Sequence, residues 1–398
     1  MRTATVWGRV FSAAALLCAA EVRAYELVRH WQGEGGNGTG DFHVASNWVQ
    51  GSVPGTADLA GFNNYSTKNW LVRWTEDAVN DTFSIVAPSP AYETAFNLNG
   101  QTYWATNALN LWQGAGGRVT ISNGMLNVRS AGFTPEPSGI TTNVYLTVRG
   151  VAFETLSATF SAAYAVFDGG SLWVSNRFSV GGVGRGWATV RLEGGAAVGV
   201  TNEFFVAYDT GATGTVVNAG GVLRYSGATC VVGRNGYGEL ILNSGTTRVD
   251  RTTTLGATST ATGVLRVTGG SNTFGTVTND RLNIGDQGRG FLEAEGGTNN
   301  TMGIVAGNGV GGVGTMTFSG GRWNIAEHMW SGLGGSGTVT VAGGEVRFTG
   351  GGPVLAIGRN AGSTGTVTVA GGLMDMGGNG SVWMGRMDSG TIAPIARL

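Results

Sequence analysis

The chain has 398 residues, of which 72 are glycine and only 7 are proline. Its hydrophobic share of 41% is too high for a disordered glycine-rich linker, because that much apolar surface can offset the entropy lost on folding. Charged residues make up 12% of the chain and the formal net charge is -1, which excludes the basic surface expected of a protein that binds nucleic acid or an anionic membrane.

The first 24 residues have the pattern of a signal peptide. Arg2 and Arg9 supply a positive start, residues 10–20 form an apolar run, and residues 22–24 resemble an A-x-A cleavage site. The sequence therefore predicts export and a mature chain that begins near Tyr25. Removal of this segment leaves Cys230 as the only cysteine, so no internal disulfide is expected. No later apolar run reaches the roughly 18 residues needed to cross a bilayer.

Residues 25–92 are rich in tryptophan and lack a regular repeat. The tryptophans are Trp31, Trp48, Trp70 and Trp74. One interpretation is an irregular N-terminal cap whose bulky side chains cover the first coil of a repeat domain. The other is a sugar-binding platform, because aromatic faces suit carbohydrate rings. The sequence leaves both interpretations open.

Residues 93–385 contain a repeat marked by glycine, with a spacing typical of solenoid proteins. The marker is a Gly-Gly pair or a weaker pair in the same place. Its first positions are Asn99, Asn123, Arg149, Gly169, Gly194, Gly220, Ser244, Gly269, Gly296, Gly320, Gly343 and Gly371. These positions predict about twelve units.

Each unit alternates apolar and polar residues on both sides of the marker, which is typical of strands with one buried face. The repeated octet GTVTVAGG at residues 337–344 and 365–372 is the plainest example, with its valines predicted inward and its threonines outward. A second landmark, an apolar residue followed by glycine, is expected to begin a third strand, as at Val232-Gly233 and Ile357-Gly358. The predicted fold is an all-β parallel β-helix, or β-solenoid, of about twelve coils.

Two stretches resemble a known family. The segment HWQGEGGNGTGDFHVASNWVQGSVPGTADLAGFNN, with Trp31, Asn47-Trp48, Pro54, Asp58 and Phe62, resembles the opening of secreted bacterial proteins that carry autotransporter-associated β-strand repeats. The units with GTVTVAGG and GTMTFSGG resemble the repeats themselves. The resemblance implies a β-helical passenger that is secreted or displayed at the outer membrane.

The end of the chain departs from that family, because no C-terminal translocating barrel or sorting tail follows the repeats. Residues 386–398, which end in TIAPIARL, are predicted to be an incomplete coil or a truncated end without a capping pattern. The bare last coil is a candidate surface for end-to-end contact with another chain.

A parallel β-helix can also be the scaffold of an enzyme that acts on polysaccharide, which requires converging carboxylates. Acids precede the marker at Asp168, Glu193 and Glu295. Only Asp168 and Glu193 lie in successive coils, with Arg191 nearby, so they are the candidate catalytic pair. The alternative is that they are solvated corner residues.

The fourth position after the first marker residue is predicted to form an outward-facing column. It is either a solvated surface or a ligand-binding stripe, for which a glycan or another cell-surface ligand is the expected partner. The notable residues in it are Asn127, Trp173, Arg224, Arg248, Asn324, Arg347 and Asp375.

Other reactive residues give no pattern of a metal or cofactor site. His30, His43 and His328 are scattered, and GGNGTGD at residues 35–41 is a poor match to a calcium-binding repeat because its Asp is one position late. Cys230 is expected to be a buried apolar thiol. The leading functional hypothesis is an exported, non-enzymatic stalk, adhesin or passenger, and the alternative is a β-helical lyase or glycoside hydrolase.

Overall fold

The computed structural model describes residues 27–64, 68–86, 91–112, 117–128, 132–136, 144–161, 163–182, 186–385 and 395–397. The predicted signal peptide at residues 1–24 lies outside the described residues. In the described part no helix is long and apolar enough to cross a membrane.

Strands make up nearly all of the regular structure. The N-terminal elements are β1 (Val28–His30), the 3-10 helix η1 (Glu34–Gly36), β2 (Thr39–Asp41), the 3-10 helix η2 (Ala45–Asn47), β3 (Leu59–Asn63), β4 (Trp70–Arg73), β5 (Ala78–Val86), β6 (Glu93–Asn97), β7 (Thr102–Trp112), β8 (Arg118–Val128) and β9 (Gly132–Glu136). The middle elements are β10 (Val144–Phe160), β11 (Ala163–Asp168), β12 (Ser171–Val180), β13 (Trp187–Glu193), β14 (Ala197–Val200), β15 (Glu203–Val206), β16 (Thr213–Tyr225), β17 (Thr229–Val232), β18 (Tyr237–Val249), β19 (Thr253–Leu255), β20 (Thr262–Val267), β21 (Ser271–Phe274) and β22 (Arg281–Ile284). The last elements are β23 (Arg289–Ala294), β24 (Thr298–Ala306), β25 (Val313–Phe318), β26 (Arg322–Ser331), β27 (Ser336–Val341), β28 (Glu345–Phe348), β29 (Val354–Ile357), β30 (Thr364–Val369), β31 (Leu373–Asp375), β32 (Ser381–Met384) and β33 (Ile395–Arg397).

The named strands pair in parallel, each with the equivalent strand of the coils before and after it. They form three faces. Face A holds the strands before the glycine marker, such as β13, β20, β25 and β27; face B holds those after it, such as β14, β21 and β28; and face C holds the third strand, such as β15, β17, β22 and β29. Long strands such as β16 and β26 turn a corner and serve two faces. The β-solenoid prediction of about twelve stacked coils is confirmed.

The apolar-glycine landmark ends the third strand, so the expectation that it begins a strand is wrong. Val232 is the last residue of β17, and Gly233 follows it with φ of 72°. A positive φ cannot continue an extended strand, and a Cβ at Gly233 would lie 2.2 Å from the carbonyl oxygen of Thr262. Glycine therefore both stops the strand and lets the next coil approach.

The interior is filled by the inward residue of each alternating pair. In the two GTVTVAGG copies, Val339, Val341 and Val367 are buried as predicted. Val369 is 48% exposed, against prediction, because the strand stacked above β30 pairs only with Thr364–Thr366. Burying such a side chain stabilises the fold by roughly 1.5–3 kcal/mol, so stability comes from the stacking of coils.

The tryptophan-rich N-terminal segment forms an aromatic cluster inside the stack. Trp31, Trp48, Trp70 and Trp74 are all buried, and Phe42 stacks on Trp74 with ring centroids 4.9 Å apart. Strands β1 to β5 of this segment pair in parallel with later strands, so the irregular region is continuous with the solenoid. Because the four indoles face the interior, they are not a surface platform for sugars.

The predicted incomplete coil at residues 386–398 is described only at β33. Residues Ile395–Arg397 pair in parallel with Thr364–Thr366 of β30 and continue face A.

Candidate functional site

The strand register of face B creates one continuous column of outward positions. Its members are Trp104, Asn127, Glu154, Trp173, Gly199, Arg224, Arg248, Thr273, Asn300, Asn324, Arg347 and Asp375. The seven residues that the sequence placed in such a column all lie in it. At one point in the column an exposed aromatic residue is stacked beside a glycine.

Trp173 lies on β12 and its side chain extends over the next coil. It is 48% exposed, and a Cβ at Gly199 of β14 would lie 2.2 Å from Cζ3 of the indole. Gly199 does not have a positive φ, so its role here is to leave space. The indole therefore rests against the backbone of β14 in a recess that exists because residue 199 has no side chain.

Polar groups flank the Trp173 indole on both sides along the column. Glu154 lies in the coil before it and accepts a hydrogen bond from Nδ2 of Asn127 at 3.3 Å. Arg224 lies beyond Gly199 and is exposed, and its guanidinium makes no ion pair or hydrogen bond with the described part of the chain. A shallow cavity of about 320 Å³ extends over Glu154, Trp173, Gly199 and Arg224.

This arrangement has the chemistry of a carbohydrate subsite. An exposed indole offers an apolar face for the C–H groups of a sugar ring, and large amphipathic aromatics are favoured at binding surfaces. The Glu154 carboxylate accepts hydrogen bonds from hydroxyls, and the Arg224 guanidinium donates them to hydroxyls or carboxylates. The cavity is open, so a chain that continues along neighbouring coils fits it better than an enclosed small molecule.

The candidate acid pair is adjacent, but each acid has its own arginine. Asp168 and Glu193 are directly paired in register between β11 and β13. Nε of Arg149 donates to Asp168 at 3.1 Å, and Nε of Arg191 donates to Glu193 at 2.8 Å. Each carboxylate is therefore held by its own guanidinium, and the two acids make no hydrogen bond to one another. Glu295, the third acid considered, is exposed at a distant corner.

Apart from Trp104, the rest of the column is polar and partly or fully exposed. The predicted neighbours Arg224 and Arg248 pair in register, as do Arg347 and Asp375. Arg248 pairs with Asp250, just after the end of β18, and Arg347 pairs with Glu345, so both charges are already neutralised locally. These residues suit a solvated face, which separates them from the Trp173 recess.

The histidines are not brought together. His30 lies 3.4 Å from Asn63 and His43 lies 3.5 Å from Asp41, both near the N-terminus, whereas His328 lies far along face C. Among the described residues no group of three or more His, Cys, Asp or Glu side chains could hold a metal ion. Cys230 is a buried free thiol as predicted, and burial raises its pKa to about 12.

Sequence reasoning found Trp173 but missed the two neighbours that define its site. Glu154 and Gly199 each lie one residue beyond the fourth position after the first marker residue of their unit, so the predicted column does not include them. The turn between β13 and β14 is one residue longer than the turn between β11 and β12, because Asp168 aligns with Glu193 but Ser171 aligns with Ala197. A count that allowed for Ala196 would have placed Gly199 beside Trp173.

Comparison of the chain with protein-family models, with curated proteins and with solved structures found no match.

Proposed function

We propose that the chain is an exported β-solenoid that serves as a surface or extracellular stalk, adhesin or passenger and binds glycan along face B at Trp173. The proposal places it with the secreted bacterial proteins that carry autotransporter-associated β-strand repeats. The observation that carries the binding part is the exposed Trp173 indole in the Gly199 recess, flanked by Glu154 and Arg224.

Three further features support binding over turnover. Asp168 and Glu193 are each bonded to an arginine. The cavity at Trp173 is shallow and open, whereas catalytic sites gain from exclusion of water. A rigid stack of coils holds the column at a regular spacing of about 4.8 Å, which suits repeated contact with an extended polymer.

The test is binding of the purified chain to a panel of neutral and acidic oligosaccharides, measured by calorimetry beside an assay for product formation. We expect binding without turnover, and at least a tenfold loss of affinity in Trp173→Ala, because truncation of a central aromatic residue of a binding surface costs about 2 kcal/mol or more. The matched control is Trp187→Ala, since Trp187 is 41% exposed on face A and outside the column.

Equal loss in both variants, or wild-type affinity in Trp173→Ala, would contradict the proposed binding site. Turnover that disappears in Asp168→Ala or Glu193→Ala would contradict the non-enzymatic part and establish the alternative.

A further inference from the structure

A second recess lies on the other side of the Trp173 indole and has a volume of about 250 Å³. Its described lining residues are Asn127, Val128, Glu154, Thr155, Leu156, Trp173 and Ser175. This cavity is the Leu156 recess, and the cavity of about 320 Å³ that extends over Gly199 is the Gly199 recess. Trp173 and Glu154 line both cavities, so the indole is the wall between them.

The two recesses lie at different heights along the solenoid. Successive coils place Asn127, Glu154, Trp173, Gly199 and Arg224 in one register. The Leu156 recess covers the coils from Asn127 to Trp173, and the Gly199 recess covers those from Glu154 to Arg224. At about 4.8 Å per coil, the Cα atoms of Glu154 and Arg224 are roughly 14 Å apart. A single sugar ring is too short to contact both residues, whereas a chain of linked sugars is not.

Each recess has its own exposed apolar side chain. Leu156 is 39% exposed and lies two residues after Glu154 on β10, where this strand leaves face B. Val222 is 41% exposed and lies two residues before Arg224 on β16, where the face B part of that strand begins. The two apolar walls therefore lie on opposite sides of the Trp173 column. A ligand that touches both walls crosses the indole obliquely.

The polar groups of the Leu156 recess favour an uncharged ligand. Oε2 of Glu154 accepts the hydrogen bond from Nδ2 of Asn127 at 3.3 Å, and Oε1 makes no hydrogen bond with the described part of the chain. This carboxylate can accept hydrogen bonds from sugar hydroxyls, but it repels a uronate or a sulfate. Glu154 is the one charged side chain among the described residues that line this recess, so no cation there offsets the repulsion.

We propose that Trp173 divides a groove with two subsites, and that a neutral oligosaccharide lies obliquely across the indole with one sugar unit in each recess. Leu156 and Val222 are the apolar walls of the two subsites, and Glu154 selects against acidic units. The inference rests on the proposed function, because it assigns to the same site an extended neutral ligand and the path of that ligand across face B.

The test is calorimetry of the full chain with a neutral monosaccharide and the corresponding tetrasaccharide. We expect the tetrasaccharide to bind about tenfold more tightly or better, because it fills both recesses at once. Leu156→Ser and Val222→Ser should each weaken tetrasaccharide binding about fourfold or more, the equivalent of about one buried CH₂ group. Val313→Ser is the control, since Val313 is a 40% exposed valine on β25 of face A.

The role of Glu154 is tested with a uronate tetrasaccharide. We expect the wild type to bind the neutral tetrasaccharide more tightly than the uronate. In Glu154→Gln this preference should shrink, because the glutamine amide keeps an acceptor for Asn127 and no longer repels the acid. A uronate that binds the wild type as tightly as the neutral chain, or a preference unchanged in Glu154→Gln, overturns the selection against acidic units.

The outcomes separate this inference from the proposed function. Equal affinity for the monosaccharide and the tetrasaccharide, or wild-type affinity in both Leu156→Ser and Val222→Ser, overturns the two subsites. An equal loss in Val313→Ser does the same. In each of these cases a loss of binding in Trp173→Ala leaves the proposed function intact. No binding of any neutral oligosaccharide, or wild-type affinity in Trp173→Ala, overturns both.

Discussion

At the residue scale, the absence of a side chain at residue 199 positions the candidate glycan site. Gly199→Ala places a methyl group where the Trp173 ring now lies, since a Cβ at this position would be 2.2 Å from Cζ3 of the indole. We expect the indole to be displaced and glycan affinity to fall about tenfold or more, as on loss of a central aromatic contact, while the fold persists because Gly199 does not require a positive φ. Calorimetry with near-ultraviolet circular dichroism checks both parts.

Gly351→Ala is the matched control for this substitution. Gly351 has no atom within 4 Å of its Cβ position and no positive φ, so the added methyl group meets only open space. Wild-type affinity in Gly199→Ala, or the same loss in Gly351→Ala, would show that the recess does not position Trp173.

His328 gives a pH dependence whose sign follows from its environment. Its pKa is lowered from 6.5 to about 4, so the unfolded chain binds the proton more readily. The stabilising effect of the neutral imidazole is complete above about pH 6.5 and is lost as the pH falls towards 4. The expected loss is up to about 3 kcal/mol, at about 1.4 kcal/mol per pKa unit.

Carboxylates elsewhere in the chain titrate in the same pH range, so the contribution of His328 is measured as a difference between wild type and a variant without the imidazole. The free energy of unfolding, measured by urea denaturation from pH 4 to 8, is compared between wild type and His328→Gln. We expect the pH-dependent difference between them to lie between pH 4 and 6.5. Parallel pH profiles would mean that His328 is not held neutral by burial and by the charges of Arg281 and Arg359.

Some features of individual residues could be predicted from the sequence and others could not. The outward column and the buried thiol of Cys230 follow from period-2 alternation, which a sequence shows directly. The Trp173 recess depends on which residues of different coils stack, and one extra turn residue at Ala196 changes that register. The arginines that act on His328, Arg281 and Arg359, lie tens of residues away on either side, so no local pattern reveals its environment.

At the element scale, a ladder of buried asparagines ties the corners of successive coils together. Nδ2 of Asn272 donates to Oδ1 of Asn299 at 2.9 Å and to the carbonyl oxygen of Gly269 at 3.0 Å. Nδ2 of Asn299 donates to Gly296 in the same way at 3.1 Å. Each asparagine therefore satisfies the carbonyl of its own glycine turn, and the pair links β21 to β24.

Asn299→Ala removes one rung, so the buried Asn272 amide keeps its bond to Gly269 but loses its acceptor on residue 299, and the Gly296 carbonyl loses the bond from residue 299. We expect the free energy of unfolding to fall by about 1–3 kcal/mol, because unsatisfied buried groups carry a desolvation cost. Denaturant titration measures it, and Asn324→Ala is the control since Asn324 is an outward residue of the same face. An equal effect of the two substitutions would contradict a structural role for the ladder.

The strands themselves could be predicted because alternation and glycine turns are local signals. Whether the third strand begins or ends at the apolar-glycine landmark could not be predicted, because a pair such as Val232-Gly233 is compatible with both. The positive φ of Gly233 decides it, and φ depends on how closely the Thr262 coil approaches.

At the scale of the whole molecule, the solenoid couples each coil mainly to its neighbours. The aromatic cluster of the first coils is therefore expected to stabilise the N-terminal part most. Trp74→Ala removes a fully buried indole and should cost about 3–5 kcal/mol. Hydrogen exchange should accelerate in residues 28–112 and change little in residues 313–369. Uniform acceleration along the chain would contradict nearest-neighbour coupling, and Trp187→Ala is again the exposed control.

We propose that face B binds glycan at Trp173, and an NMR titration of the tryptophan indole N–H signals with a neutral oligosaccharide tests this at the residue itself. Substitutions Trp173→Phe and Trp187→Phe assign the signals of these two exposed residues. We expect the Trp173 signal to shift in a saturable way while those of Trp187 and the buried Trp31, Trp48 and Trp74 stay in place. Saturable shifts at other tryptophans with Trp173 unmoved, or no shift with any oligosaccharide of the panel, would contradict it.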